Sequence, residues 1–423
     1  MNARLSIDSA RLYRSLSELG EIGAYDDPHS GLRGVCRLAL TAADGEGRRH
    51  VVAAMRAAGL EVTVDRIGNV FGRRRGKDET KRPVMMGSHI DSVATAGRFD
   101  GCLGVLGALE VIRTLEDAKR ETLRPLVVAF FTEEEGARFG TDMLGSAVAT
   151  GRIALAEALA LRDRQGKSVA ACLDEIGFAG SRDEHLEPPH AYLECHVEQG
   201  PSLRRANREL GVVTGVQAIC WHELTLIGRS AHAGTTPMSL RADAGVVAAR
   251  INLLLREMTS SGRYGPELRA TMGVVSAQPG LVNVIPGRVT ATVDIRNPDN
   301  TILERAEAEL TERYQEIARA EGVELSYRRT ARTPDVPFAK RIQARVAAAA
   351  AARGLDHVEI VSGAGHDAQE LARITDAGMI FVPGEFDGIS HNPRELSTEA
   401  QCANGVNVLS DVALSLADEA EGP

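Results

Sequence analysis

Short apolar runs alternate with amphipathic stretches along most of the chain, a pattern that is typical of α/β proteins. Residues 83–87, 126–131 and 190–196 are predicted to form buried strands, and residues 101–115 to form the helix after the first of them. In open α/β sheets, ligands bind at the carboxyl ends of the strands. Polar residues that directly follow these runs are therefore candidates for a functional site.

The pattern changes near residue 211 and returns near residue 337. Between these points the sequence predicts strands at 212–226, 268–275 and 289–295, and helices at 239–257 and 301–321. Beyond them it predicts a helix at 339–352, a strand at 379–382 and a helix at 399–417. We therefore expect a discontinuous main domain (1–210 and 329–423) with a mixed sheet and flanking helices, and an inserted, smaller α+β domain (211–328).

The composition limits the partners and the cellular location that we expect. Of the 423 residues, 43% are hydrophobic, and the formal net charge is −9 with acidic and basic residues intermixed. Since no basic patch is evident, neither a nucleic acid nor an anionic membrane is expected as a partner. No signal-peptide pattern begins the chain, no apolar run is long enough to span a membrane, and the six cysteines form no C-x-x-C pair. We therefore expect a cytoplasmic protein.

A histidine and an aspartate stand close together at the end of the first predicted strand. In the segment GSHIDSV, Asp91 follows His89 by two residues, which places both side chains on the same side of an extended chain. Asp91 could then orient the imidazole of His89, as metal-bound histidines usually require. A strand-end histidine with an ordinary hydrogen bond is the alternative.

Carboxylates follow in two further segments. Asp100 precedes a Gly-rich helix start, where taken alone it is expected to cap the helix. Glu133, Glu134 and Glu135 end an apolar strand, and adjacent like charges are unfavourable unless a cation neutralises them. A solvated charged loop is the alternative. If a metal ion is bound, one of Glu134 and Glu135 could bind it while the other transfers protons.

Two more histidines complete the set of candidate metal ligands. His196 lies in the segment ECHVEQG at the end of the third predicted strand, and His391 lies in SHNPRE. Two or three histidines with several carboxylates suit Zn, Mn, Co or Ni better than Mg or Ca, and a shared aspartate suits a two-metal site.

With these segments in order, the chain resembles the hydantoinase/carbamoylase family of amidohydrolases. This family contains L-N-carbamoylases, allantoate amidohydrolases and ureidopropionases, and it belongs to a wider clan of dinuclear aminoacylases and carboxypeptidases. The resemblance extends from Gly68 to His391. It rests on the segments GSHIDSV, GRFDG, TEEEGARFG, ECHVEQGP, GRSAHAGTTPM, NVIPG, DIRNP, SGAGHDA and SHNPRE.

The resemblance implies a site with two divalent ions. The ligands would be His89, Asp100 and His196 for one ion, and Asp100, Glu135 and His391 for the other, with Asp100 bridging. Glu134 would be the general base. Peptidases of the wider clan usually have a carboxylate where this chain has His196, so His196 favours the carbamoylase branch.

The resemblance also implies the residues that bind the substrate. The inserted domain would be a lid and dimerisation domain, and its His232 would reach the active site of the partner in a homodimer and donate to the oxyanion. The substrate-binding residues would be Gln199, His232, Asn283, Arg296 and Gly363. Arg296 and Asn283 would hold the substrate's carboxylate, because a guanidinium binds a carboxylate at two points. His366 is not assigned a role.

The implied reaction is hydrolysis of the ureido bond of a small carboxylate-bearing N-carbamoyl compound, which releases ammonia and carbon dioxide. The implied substrate is an N-carbamoyl-L-amino acid or a close analogue; allantoate and ureidopropionate, which also offer a carboxylate and a ureido group, are the alternatives. Two rival hypotheses are an aminoacylase or dipeptidase of the wider clan, and a metal-free binding protein with the same fold. His196 with Gln199 argues against the first, and the complete ligand set argues against the second.

Overall fold

A computed structural model describes residues 4–420 of the chain, which form two compact units. The large unit comprises Met1–Val216 and Pro337–Pro423, and the small unit comprises Gln217–Val336. The expected boundaries after residues 210 and 328 each fall inside a strand, Leu210–Val216 and Glu324–Thr333. The structure instead changes from one unit to the other after Val216, where a strand ends, and within the two-residue strand Val336–Pro337.

The first part of the large unit alternates strands and helices as the sequence predicts. In chain order it contains α1 (Ser9–Glu21), β1 (Ala24–Asp26), β2 (Arg33–Val35), α2 (Ala42–Ala57), β3 (Glu61–Val64), β4 (Val70–Arg74), β5 (Val84–His89), α3 (Cys102–Asp117), β6 (Leu126–Phe131), α4 (Leu144–Ala149), α5 (Leu155–Ala160), α6 (Val169–Ile176), β7 (Ala191–Val197), α7 (Ser202–Arg205) and β8 (Leu210–Val216).

The small unit follows, and the chain then returns to the large unit. The small unit contains β9 (Ala218–Ile227), a 3₁₀ turn at Met238–Leu240, α8 (Ala244–Ser260), β10 (Arg269–Thr271), β11 (Val275–Gln278), β12 (Arg288–Asn297), α9 (Asn300–Ala320) and β13 (Glu324–Thr333). The remaining elements are β14 (Val336–Pro337), α10 (Lys340–Ala352), β15 (His357–Ser362), α11 (Asp367–Leu371), β16 (Ala377–Val382), a 3₁₀ turn at Phe386–Gly388 and α12 (Glu399–Ala417).

A mixed sheet forms the centre of the large unit, which confirms the predicted α/β fold. Its order is β14-β8-β16-β7-β5-β6-β4-β3, with β15 beside β8. Strands β6, β5, β7 and β16 are neighbours and run parallel, whereas β4 pairs antiparallel with both β3 and β6, and β8 pairs antiparallel with β16. β15 runs parallel to β8. Every residue of β5, β6, β7 and β16 is buried. Burial on both faces explains why these strands are continuous apolar runs.

The small unit has its own sheet and its own core. Its strands pair antiparallel in the order β10-β12-β9-β13, and β11 also pairs with β12. Along β12, buried positions alternate with more exposed ones. The buried side chains, such as Val293, pack with Ile251 of α8 and Leu310 of α9 in one apolar cluster. This period-two pattern is that of a sheet with one covered face.

Several predicted elements of the small unit need correction. The run at 212–226 is two strands of different sheets, β8 and β9, and the run at 268–275 is two short strands, β10 and β11. The helix predicted to begin at residue 239 begins at Ala244, because the Asp243 carboxylate accepts hydrogen bonds from the backbone of Gly245 and Val246 and caps it there. None of the helices within residues 4–420 combines the length and apolar character needed to cross a bilayer.

Candidate metal centre

The carboxyl ends of four parallel strands carry the candidate residues of the large unit. His89 is the last residue of β5 and lies opposite Phe131, the last residue of β6, so the acidic run after β6 starts beside it. His196 is next to last in β7. His391 lies in the loop after β16, and Asp100 lies just before α3. The topology therefore collects side chains that are distant in sequence at one edge of the sheet.

Asp100 lies between two groups of possible metal ligands. Its Oδ1 is 3.2 Å from Nε2 of His196 and 3.7 Å from Nε2 of His89. Its Oδ2 is 3.5 Å from Nε2 of His391, which is in turn 3.3 Å from Oε2 of Glu135. Within each group, the ligand atoms all lie within 4.8 Å of one another. One carboxylate thus faces a different group with each oxygen, which is the geometry that a bridging ligand requires.

Backbone carbonyls orient the two buried imidazoles. Nδ1 of His89 lies 3.0 Å from the carbonyl oxygen of Asp91, and Nδ1 of His196 lies 2.8 Å from that of Val197. With each Nδ1–H donating to a carbonyl, each Nε2 has a lone pair that a metal ion could use; in this structure Nε2 of His196 accepts the Gly101 N–H at 3.1 Å. The prediction that the Asp91 carboxylate orients His89 is therefore wrong, since Oδ1 of Asp91 is 3.9 Å from Nδ1. That carboxylate instead accepts the backbone N–H groups of Glu134 and Glu135, each at 3.3 Å.

The three consecutive glutamates have different environments. Oε1 of Glu133 accepts the backbone N–H groups of Arg138 and Phe139, at 3.0 and 2.7 Å, and so holds the loop in shape. Glu135 faces His391, as described above. Oε2 of Glu134 lies 3.4 Å from Nε2 of His89, and its side chain is buried. Glu134 thus borders the ligand set from a separate position, where a proton-transferring carboxylate would be placed.

Charges at the centre favour the binding of cations. Burial, reinforced by the charges of Asp367 and Glu135, holds the pKa of Glu134 well above its usual range. Burial disfavours a charged His391, but hydrogen bonds to Asp100 and Glu135 outweigh it and raise the pKa of His391 to about 11. Both shifts favour a proton at these groups, and bound divalent ions would relieve the same crowding of carboxylates. Oε1 of Glu135 is also buried without a hydrogen-bond partner. These nitrogen and oxygen donors fit two divalent ions.

Three side chains that contact Asp100 or its loop fix its position. Gln199 donates from Nε2 to Oδ2 of Asp100 at 2.8 Å, and the Ser390 hydroxyl lies at the same distance from Oδ2. Oε1 of Glu395 accepts the backbone N–H groups of Phe99 and Asp100, at 2.9 and 3.2 Å. Sequence reasoning did not assign roles to Ser390 and Glu395, although both belong to the segment SHNPRE.

The residue after Asp100 must be a glycine for the site to form. Gly101 has φ of 67° and is the N-cap of α3, so Asp100 does not cap the helix as its position alone suggests. A Cβ atom at Gly101 would lie 2.4 Å from the ring of His89. Both the left-handed backbone and the close approach of His89 exclude other residues.

The Gly-rich segment SGAGHDA lies beside the same site. Gly363 is in the exposed turn between β15 and α11. His366, three residues later, is buried, its Nε2 lies 2.8 Å from the Ser362 hydroxyl, and its ring centroid is 4.6 Å from that of His196. The loop thus packs against one candidate ligand through His366.

The remaining candidate residues belong to the small unit. His232 is exposed, and its loop pairs with that of Asn283, because the Ala233 N–H donates to the Asn283 carbonyl at 2.9 Å. Nδ1 of His232 accepts the Gly234 N–H at 3.0 Å, so the imidazole proton is carried on Nε2. Arg296 lies on β12, where its Nε and Nη2 donate to the Asp294 carboxylate at 3.0 and 2.7 Å. The small unit thus offers an N–H donor and a two-point guanidinium.

Comparisons with known proteins agree with this geometry. Residues 85–415 match the model of peptidase family M20/M25/M40. The chain is 39% identical to N-carbamoyl-L-amino-acid amidohydrolase from Rhizobium meliloti over 99% of both chains. It is 35% identical to allantoate amidohydrolase from Bacillus subtilis over 91% of this chain and 93% of the relative. A crystal structure of an amidase of the hydantoinase/carbamoylase family from Burkholderia vietnamiensis superposes with a TM-score of 0.94 at 42% identity, covering 99% of this chain and 100% of that one. The chain therefore belongs to peptidase family M20/M25/M40, within its hydantoinase/carbamoylase branch.

Proposed function

We propose that this protein is a dinuclear metal hydrolase that cleaves the ureido bond of an N-carbamoyl-L-amino acid or a close analogue. The observation that carries the proposal is the division of Asp100 between two ligand groups, with Glu134 beside them. The proposed products are the free amino acid, ammonia and carbon dioxide. The names of the relatives from Rhizobium meliloti and Bacillus subtilis support a linear ureido substrate.

Glu134 and His232 would carry out the chemistry at the ureido carbon. Divalent ions held by His89, Asp100, Glu135, His196 and His391 would polarise the carbonyl and lower the pKa of a water molecule. Glu134 would take a proton from that water and deliver it to the leaving amine. His232 would donate its Nε2–H to the oxyanion, a contribution typically worth about 3 kcal/mol. Zn, Mn, Co and Ni all suit the nitrogen and oxygen donors.

Arg296 is proposed to hold the carboxylate of the substrate. Arg296 already forms a forked hydrogen bond with Asp294, so a substrate carboxylate would have to compete with that partner for the guanidinium. Asn283 would assist it, and Gln199 and Gly363 are proposed as further contacts of the substrate. Gln199 donates to Asp100 in this structure, so a substrate that used its amide would alter that contact.

We also propose that two copies of the chain associate through the small unit. All four residues of β11 are exposed, and among the described strands β11 pairs with β12 alone. Large apolar side chains are exposed on the same unit, including Val275 at 56%, Leu253 at 63% and Leu281 at 59%. An open strand edge with exposed apolar residues is unfavourable in water and favours a partner surface.

A cytoplasmic location remains a prediction, and the six free cysteines fit a reducing compartment.

The substrate class can be tested by measuring ammonia release. The metal-loaded protein should hydrolyse at least one of an N-carbamoyl-L-amino acid, allantoate and ureidopropionate, and should leave a panel of dipeptides and N-acetyl amino acids intact. The reason is that His196, together with Gln199, matches the carbamoylase branch, whereas peptidases of the wider clan usually have a carboxylate in place of His196. Hydrolysis of dipeptides without ammonia release from any ureido compound would instead assign an aminoacylase or dipeptidase activity.

Arg296→Ala should raise KM for carboxylate-bearing substrates by about tenfold or more, because a charged two-point contact is lost. Arg296→Lys should restore part of this loss, since a lysine keeps the charge but not the fork. Steady-state kinetics on the preferred ureido substrate provide the measurement, with Arg288→Ala, on the same strand, as the control. An unchanged KM in Arg296→Ala would mean that the carboxylate is bound elsewhere.

A further inference from the structure

The small unit contains a buried cluster of a thiol, an imidazole and a carboxylate that the proposed reaction does not use. Cys220 and His222 lie two residues apart on β9, and Glu307 lies on α9. All three residues are buried. Sγ of Cys220 is 3.4 Å from Nε2 of His222, which is 3.2 Å from Oε1 of Glu307. Two strand residues and one helix residue thus direct three different ligand atoms at one point.

The spacing of these atoms matches a tetrahedral metal site. Zinc binds sulfur at about 2.3 Å and nitrogen or oxygen at about 2.0 Å, which separates neighbouring ligand atoms by roughly 3.3–3.5 Å. The two distances above lie close to this range, and all three ligand atoms are within 4.8 Å of one another. A thiolate with an imidazole selects softer divalent ions such as zinc over magnesium or calcium.

The surroundings supply the support and the access that a metal site needs. The Tyr314 hydroxyl lies 3.5 Å from Nδ1 of His222, where it can orient the ring, and Nε of Arg332 lies 3.5 Å from Oε2 of Glu307. Glu307 also lines an open cavity of about 510 Å³ together with Tyr327, Arg329 and Arg332. An ion and one coordinating water could enter from this cavity.

Two features of the cluster oppose the binding of a metal ion. Arg329 contacts the same Oε1 at 2.6 Å, although its side chain is 54% exposed and can move into solvent. Burial, followed by the charge of Glu307, raises the pKa of Cys220 to about 12, so the thiol is protonated without a metal. In favour of an ion, Oε1 of Glu307 lies 3.2 Å from Nε2 of His222, which places a carboxylate oxygen beside the imidazole and the thiol.

We propose that Cys220, His222 and Glu307 form a binding site for one soft divalent ion, with zinc as its natural occupant and a water as fourth ligand. On binding, the thiol proton of Cys220 leaves to solvent as the sulfur–metal bond forms, and Arg329 gives up Oε1. This site lies within the small unit and does not depend on the proposed hydrolytic reaction. Its ion would connect β9 to α9 and stabilise that unit.

The thiolate makes the site distinguishable from the candidate centre, whose ligands are nitrogen and oxygen only. Cobalt-substituted protein should show a thiolate-to-cobalt charge-transfer band in the near ultraviolet, and X-ray absorption of zinc-loaded protein should show one sulfur at about 2.3 Å. Cys220→Ser should lose both signals. Cys36→Ser, a control at a half-buried cysteine, and His89→Ala, which removes a ligand of the candidate centre, should keep them. Absence of the band in wild-type protein saturated with cobalt, or its survival in Cys220→Ser, would overturn the proposal.

Arg329 offers a second test that does not require changing a ligand. Removing a competing positive charge in Arg329→Ala should tighten cobalt binding, followed at the charge-transfer band, by roughly three- to tenfold. Arg328→Ala is the matched control, because Arg328 is adjacent on β13 and pairs with Glu223 instead. A hydrogen-bonded cluster with no affinity for metal would show no band in either variant. Weaker or unchanged binding in Arg329→Ala would also contradict the proposal.

Discussion

Glu134→Gln is expected to lower kcat by about 10²- to 10⁴-fold while both metal ions stay bound, because a general base is lost without loss of a ligand. Glu134 is buried 3.4 Å from His89, adjacent to both ligand groups but a member of neither. Its amide replacement has nearly the same shape and can still occupy this position. The measurements are kcat on the preferred ureido substrate and metal content per subunit after dialysis.

Glu135→Gln is the matched variant, since it makes the same change at the next residue. Glu135 faces His391 at 3.3 Å, so its replacement should release one of the two ions, and activity should recover partly in excess metal. The two variants should therefore differ in metal content as well as in rate. Equal metal retention with equal residual activity in both variants would show that the roles of base and ligand are not divided in this way.

The second large effect is expected from complementation between two inactive variants. His232→Ala and Glu134→Gln should each be nearly inactive as homodimers, because one would lack the proposed oxyanion donor and the other the proposed base. If His232 completes the partner's site, a mixed dimer has one site with both residues intact and one with both changed. Random association makes about half of the dimers mixed, so activity should return to roughly a quarter of the wild-type value.

Co-expression of the two variants with different tags provides the measurement. Sequential affinity steps isolate the mixed dimers, whose activity per dimer should be about half that of wild type. Homodimers of each variant, with one subunit carrying each tag, serve as the controls for effects of the tags. Mixed dimers that stay as inactive as the parents would show that His232 acts within its own subunit or does not act in catalysis.

The strands that position the centre are predictable from sequence, whereas several strands near the edges are not. β5, β6 and β7 are buried at every residue, so they stand out as apolar runs between polar segments. The local pattern does not predict β13, because half of its residues are exposed and its sequence ELSYRRTART is largely polar. Its place in the sheet depends on the ladder with β9, a long-range pairing that the local pattern does not contain.

The candidate ligands are likewise more predictable than the residues that hold them. The five side chains implied by the resemblance form two groups that share Asp100, at the ends of β5 and β7, in the loops after β6 and β16, and just before α3. The Glu395 carboxylate accepts the backbone N–H of Phe99, and the Asp91 carboxylate accepts that of Glu135. Each carboxylate lies far along the chain from the loop that it holds. Such contacts depend on the path of the loop, so the type of residue alone does not predict them. The Cys220 cluster was missed because Glu307 approaches β9 only when α9 packs on the sheet.

Metal-dependent ammonia release tests the central proposal most directly. Cys220→Ser protein, in which the proposed small-unit site cannot form, is freed of metal by chelation and titrated with Zn, Mn, Co or Ni. Ammonia release from the preferred ureido substrate is then followed against bound metal. We predict no activity in the metal-free protein and a maximum at about two ions per subunit. Full ammonia release by exhaustively metal-free protein would contradict the proposed two-metal mechanism.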